Sequence, residues 1–131
     1  MNLKNFILAI CFISLSAYSF GQQKESDAII NAIKGGNASA LSQYFINTID
    51  ITLLDEDDVF SKSQAEAMLS NFFSSNKPTS LNIDHQGTSK LQDHYTIGTI
   101  TTGKGKYRFT FFLKKTENNY LIKQLRIETS N

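Results

Sequence analysis

The sequence predicts an α+β fold, with N-terminal helices packed on one face of a curved antiparallel sheet, after a leader that is removed. Three observations predict it. Past the leader, apolar residues recur at helical spacing only in the first half of the chain; the single proline, Pro78, marks the change; and four alternating stretches follow it in series, each separated by turn-forming residues. Helices early and strands late are the pattern of an α+β domain whose helices cover one sheet face.

The leader comes first. Met1 to Asn5 carries one positive charge, Lys4; an apolar run extends from Phe6 to Ala17; and Ser19-Phe20-Gly21 supplies small residues before Gln22. This order is that of a secretory signal spanning residues 1–21, leaving 22–131 as a single exported domain, periplasmic or secreted. The apolar run, about twelve residues, is shorter than the roughly twenty needed to cross a hydrocarbon core, so no stable membrane anchor is expected. Cys11 lies inside that run behind the bulky Ile10, a poor context for lipidation. It is the only cysteine, so cleavage after Gly21 leaves no thiol for disulfides, thiolate metal sites or nucleophilic chemistry.

Ala28, Ile29, Ala32 and Ile33 give a short amphipathic helix from Glu25 to Lys34, and Gly35-Gly36 supplies a left-handed stop. Asn37 is a good N-cap for a second helix carrying Leu41, Tyr44 and Phe45, ending before Asn47. Ile49 to Leu54 reads as a strand, Asp55 to Asp58 as a charged turn and Val59-Phe60 as a short returning strand. Ser61 with Gln64, or Ser63 with Glu66, forms a capping box for a third helix, whose Ala65, Met68, Leu69, Phe72 and Phe73 share one face.

Beyond Pro78 the expected strands are Leu81 to Gln86, His94 to Thr102, Lys106 to Lys115 and Tyr120 to Glu128, joined by Gly87 to Asp93, Gly103 to Gly105, and Thr116 to Asn119. Four in series imply an antiparallel meander. In the third, Tyr107, Phe109, Phe111 and Leu113 point towards the helices while Arg108, Thr110 and Phe112 point away. In the last, Leu121, Leu125 and Ile127 share a face with Lys123, which means either a bulge or a snorkelling lysine.

Removing Lys4 from the 13 basic residues balances them against the 12 acidic ones. A neutral domain is not built to bind nucleic acid. There is no G-x-S-x-G elbow, phosphate-cradling glycine loop, dinucleotide fingerprint or paired-histidine zincin helix, so hydrolase, kinase and dehydrogenase readings find no support and no cofactor is expected.

Several stretches carry a resemblance: Ala32 to Ala38, Val59 to Glu66, His85-Gln86-Gly87, Tyr95 to Thr99, and Leu121 to Glu128. In them the chain resembles the exported family called domain of unknown function 4783, and its element order is similar to the cystatin-like cone of the nuclear transport factor two superfamily. The resemblance implies the fold and the compartment. It carries over no catalytic residues, because the superfamily includes isomerase- and dehydratase-type enzymes beside non-catalytic binding and dimerising modules.

Four groups of residues are candidates for chemistry. A conical pocket lined by Tyr44, Phe45, Phe72, Tyr95, Tyr107 and Phe109 would hold a small apolar ligand, with Asp50 or Asp84 as a base and Tyr95 as a donor in an acid–base enzyme. The same aromatics at helical and strand spacing also make an ordinary core. A register setting His85 opposite His94 would bring two imidazoles together for zinc or copper. Asp55 to Asp58 lacks the glycine and the later glutamate of a calcium loop. Finally, seven basic residues and one acid lie between Lys104 and Arg126, against five acids and no base between Asp50 and Asp58. Arg108, Gln124 and Arg126 would project from the face opposite the helices, a surface on which members of the superfamily dimerise. The leading expectation is a non-catalytic exported module binding a small apolar ligand or a protein partner, as a homodimer. An acid–base enzyme and a metal-binding protein are the alternatives.

Overall fold

A computed structural model describes residues 23–130. The leader, with Cys11, lies outside them. Among the described residues no helix is long and apolar enough to cross a membrane.

Helix α1 covers residues 23–34 and buries Ile29, Ala32 and Ile33. It ends in a Schellman motif: the Asn37 N–H donates to the Ala32 carbonyl and the Gly36 N–H to that of Ile33. Gly36 is the left-handed residue, with φ of 62°, and a Cβ there would press on Pro78 at 3.1 Å. Asn37 then caps α2 (Ala38–Ser42), accepting from the Ala40 N–H.

Here the structure departs from the sequence reading. Helix α2 stops at Ser42, and Phe45 opens strand β1 (Phe45–Leu53) instead of completing a helical face. Phe45 is completely buried, and β1 draws it onto the sheet beside Ile122. Strand β2 (Glu56–Ser61) starts three residues earlier than expected, because Leu54 adopts φ of 54° and closes the hairpin in two residues. Glu56, Asp57 and Asp58 therefore belong to a strand, not a turn. Ser61 and Gln64 make the capping box of α3 (Lys62–Ser75), which buries Ala65, Leu69, Phe72 and Phe73.

Strands β3 (Pro78–Thr88), β4 (His94–Thr102), β5 (Gly105–Lys115) and β6 (Tyr120–Thr129) form the expected antiparallel meander. The β1–β2 hairpin joins the same sheet, in the order β2-β1-β6-β5-β4-β3, and β1 runs parallel to β6. The result is the α+β arrangement of helices on a curved sheet. A bulge resolves the ambiguity in β6: the register slips between Phe112 and Leu113, leaving Lys123 as the extra residue opposite them. Ile122 thereby turns inward with Leu125 and Ile127, and the Lys123 ammonium is freed to pair with Asp93.

The core lies between the helices and one sheet face. At its centre Phe109 and Phe111 stack with ring centroids 6.2 Å apart, and Phe109 lies flat across its directly paired neighbour, Gly98. A Cβ on Gly98 would stand 2.4 Å from that ring. The strand glycine, costly by propensity, is what lets one of the largest core side chains lie close to the sheet.

Candidate functional site

The aromatics expected to line one pocket are divided between the two sheet faces. Phe45 and Phe109 are fully buried and Phe72 nearly so, all in the core cluster. Tyr107 meets Phe72 edge-on at 5.2 Å and donates its hydroxyl to Asn76 Oδ1 at 2.7 Å. Asn76 in turn caps α3 by donating to the Phe72 carbonyl. Tyr44 packs at the core margin beside a groove between α1 and α2. Tyr95 is on the other face altogether, since it precedes the inward-facing Thr96. The space beneath the helices is occupied by side chains that close packing demands, so these residues do not form a conical cavity.

Neither candidate base points there either. Asp50 lies between buried Ile49 and Ile51 and so faces away from the core, beside Gln124 of β6. Asp84 is the extra residue of a β3 bulge and accepts from the Thr99 hydroxyl at 2.7 Å.

The histidine pair is also corrected. The register of β3 on β4 is displaced by three residues from the one assumed, with Ser89 Oγ in the loop accepting from the Leu91 and Asp93 N–H groups and Gln92 in the left-handed region. Thr88 thus pairs with His94, and His85 with Ile97. Ile97 is three positions on from His94, an odd offset, so the two imidazoles occupy opposite faces. His94 Nδ1 lies 3.3 Å from the Thr88 hydroxyl, and its ring meets Tyr120 at 5.8 Å. Among the described residues no three histidine or acidic side chains converge as metal ligands.

The face away from the helices carries an ordered grid, set by register alone. One row runs Gly87, Tyr95, Phe112, Gln124, Asp50 across β3, β4, β5, β6 and β1. The next runs His85, Ile97, Thr110, Arg126, Thr52, and a third Asn82, Thr99, Arg108, Glu128. Tyr95 and Phe112 lie 6.0 Å apart, and His85 Nε2 is 2.8 Å from the Tyr95 hydroxyl. The Tyr95 ring reaches His85 by crossing Gly87, where a Cβ would come 2.8 Å from its hydroxyl oxygen. Arg126 Nε donates to Glu128 at 3.0 Å, and the Thr52 hydroxyl to Asp57 at 3.2 Å. A shallow depression of about 450 Å³ lies over Asp84, His85, Ile97, Thr99 and Arg108. Arg108, Gln124 and Arg126 thus share this face, as alternation predicts. Tyr95, Ile97 and Phe112, all half-buried, supply an apolar centre that reading β5 by itself left incomplete.

The family model for the domain of unknown function DUF4783 matches residues 26–128. The chain belongs to that family. A DUF4783 protein of known structure from Bacteroides ovatus is 35% identical, with a TM-score of 0.74 over 79% of this chain and 94% of that one. A putative scytalone dehydratase from Novosphingobium aromaticivorans is 8% identical at a TM-score of 0.66, covering 92% of this chain and 89% of its own. A putative calcium/calmodulin dependent protein kinase II association domain from Xanthomonas campestris is 17% identical at 0.59, with coverages of 79% and 81%. These distant neighbours share the fold, the cystatin-like cone of nuclear transport factor two-like proteins. No curated protein matches the chain.

Proposed function

We propose that this DUF4783 protein is an exported, non-catalytic module that pairs with a second copy of itself through the open face of its sheet. The observation that carries the reading is the row Tyr95–Phe112 with Ile97 beside it: two aromatics and a branched residue, flanked by Arg108 and Arg126, left uncovered by the helices. Aromatics and arginine are the residue types enriched at protein interfaces. A two-fold partner presents the same patch, so the acids at the β1–β2 edge, Asp50 and Asp57, come within reach of the second copy's arginines. The kinase association domain among the fold neighbours is consistent with self-association on this scaffold.

The test is sedentimentation of the exported protein beside Phe112→Lys. A dimer that weakens by roughly thirtyfold or more in the variant, with unchanged circular dichroism, supports the reading, the loss expected for a central interface anchor. A wild-type protein that stays monomeric throughout the micromolar range overturns it. Intact mass of the protein recovered outside the cytoplasm tests export in the same preparation, with Gln22 expected as the first residue.

A further inference from the structure

A second, separate recess lies on the helix side of the sheet, where the first turn of α1 stands over the ends of β3 and β4. It measures about 260 Å³ and is lined by Gln23, Ser26, Gln86, Gly87, Thr88, His94, Tyr95 and Thr96. Every side chain among them carries a polar group. Two of them are nine-tenths buried or more: Ser26 is 5% and Thr96 3% exposed. The Ser26 hydroxyl has no hydrogen-bond partner among the described residues. Thr96 Oγ1 accepts from Gln86 Nε2 at 3.3 Å, which leaves its own O–H to donate. Among the described residues no fully buried side-chain nitrogen or oxygen lacks a partner, so the free Ser26 hydroxyl opens into the recess, where a ligand can reach it together with the donor left on Thr96.

The lining also limits what that ligand is. Besides the Tyr95 phenol it includes three aliphatic hydroxyls, two carboxamides and one imidazole, but no carboxylate, ammonium or guanidinium. Of the nearby acids, Asp27 accepts from the lining Gln23, and Asp93 pairs with Lys123. A charged ligand would be desolvated here without a fixed counter-charge. Hydroxyls and carboxamides both donate and accept, which matches a ligand whose own groups do the same. The volume falls just short of the roughly 300–1,000 Å³ of sites for drug-sized molecules, so the occupant has the size of one ring.

From these observations we propose that the recess between α1 and the β3–β4 hairpin binds a small, uncharged polyhydroxylated molecule of monosaccharide size. Ser26, Gln86 and Thr96 lie on the opposite side of the sheet from Phe112, so the recess and the self-association surface share only Tyr95, whose side chain belongs to the other face. The experiment is an amide-shift titration of the full chain, expressed with its own leader and recovered after export, using glucose, galactose, mannose and N-acetylglucosamine in turn. The expected result is saturable shifts confined to residues 23–27, 86–88 and 94–96 with at least one sugar. Ser26→Ala and Thr96→Val should each weaken binding by roughly three- to tenfold, the effect of one hydrogen bond, while Phe112→Lys leaves it unchanged. Absence of saturable shifts with all four sugars overturns the proposal. Saturation of the same amides by acetate or inorganic phosphate, with the sugars silent, overturns it as well by making the site an anion site.

Discussion

The two faces of the sheet use the same device to different ends. On the helix side Phe109 lies across its paired Gly98; on the open side Tyr95 lies across its paired Gly87. The first ring is fully buried in the core cluster, and its glycine is hemmed in by both the Phe109 ring and the Asn82 carbonyl. The second is half-buried, meets the rings of His85 and Phe112 in its own sheet, and ends in a hydroxyl spent on His85. An aromatic over a strand glycine therefore does not by itself make a core. What makes one is a second layer, and the face without it retains an aromatic patch with polar margins, suited to a partner.

Breaking the closed face should have the largest effect. Phe109→Ala empties a fully buried site against Gly98 and Phe111, and urea unfolding should report a loss of about 3–5 kcal/mol. Phe112→Lys on the open face should leave most of that stability in place. If the two variants lose the same amount, the distinction between the faces fails. The glycines sharpen it further. Gly98→Ala drives a methyl into a ring and a backbone oxygen, neither free to move, and should cost about 1–3 kcal/mol. Gly87→Ala meets only the end of the Tyr95 side chain, which can swing away; its cost should be under about 1 kcal/mol, with the Tyr95–His85 hydrogen bond lost. Equal melting temperatures for the two glycine variants would contradict this account.

The smallest effect concerns Glu25, which joins α1 to the sheet by accepting from the Tyr120 N–H. Burial pushes its carboxyl up from the usual 4.5, outweighing the opposing pull of that N–H and of Lys24. The fold thus favours the protonated form. The contribution is fully present below pH 4.5 and is lost as pH rises through the elevated folded value. Glu25→Gln should flatten the stability profile across that window, read from urea midpoints at successive pH values. A profile as steep as that of the wild type would assign the slope to other groups.

How much of this was legible depended on the range of the interactions involved. The glycine stop at Gly36, a capping box at the start of α3 and the alternating faces of β5 are each written within a few residues, and the structure has all three, choosing Ser61–Gln64 of the two boxes the pattern allowed. The register of β3 on β4 was not, because one bulge at Asp84 and the closing geometry of the Ser89–Asp93 loop shift the pairing and send His85 and His94 to opposite faces. Nor was the recess over Ser26, since Gln23 and Ser26 are separated from Gln86 and Thr96 by most of the domain. Its one local signal was a serine among the buried positions of α1.

By itself the sequence determined the α+β order of elements, the glycine stop of α1, the start of α3 and the two faces of β5, because these follow from local dihedral preference and side-chain period. Only the tertiary structure decided that β1 runs parallel to β6, that Phe45 belongs to the sheet, and which aromatics are enclosed and which are left open. Those outcomes depend on pairing between distant segments and on which face the helices cover, and neither is encoded in any single stretch of chain.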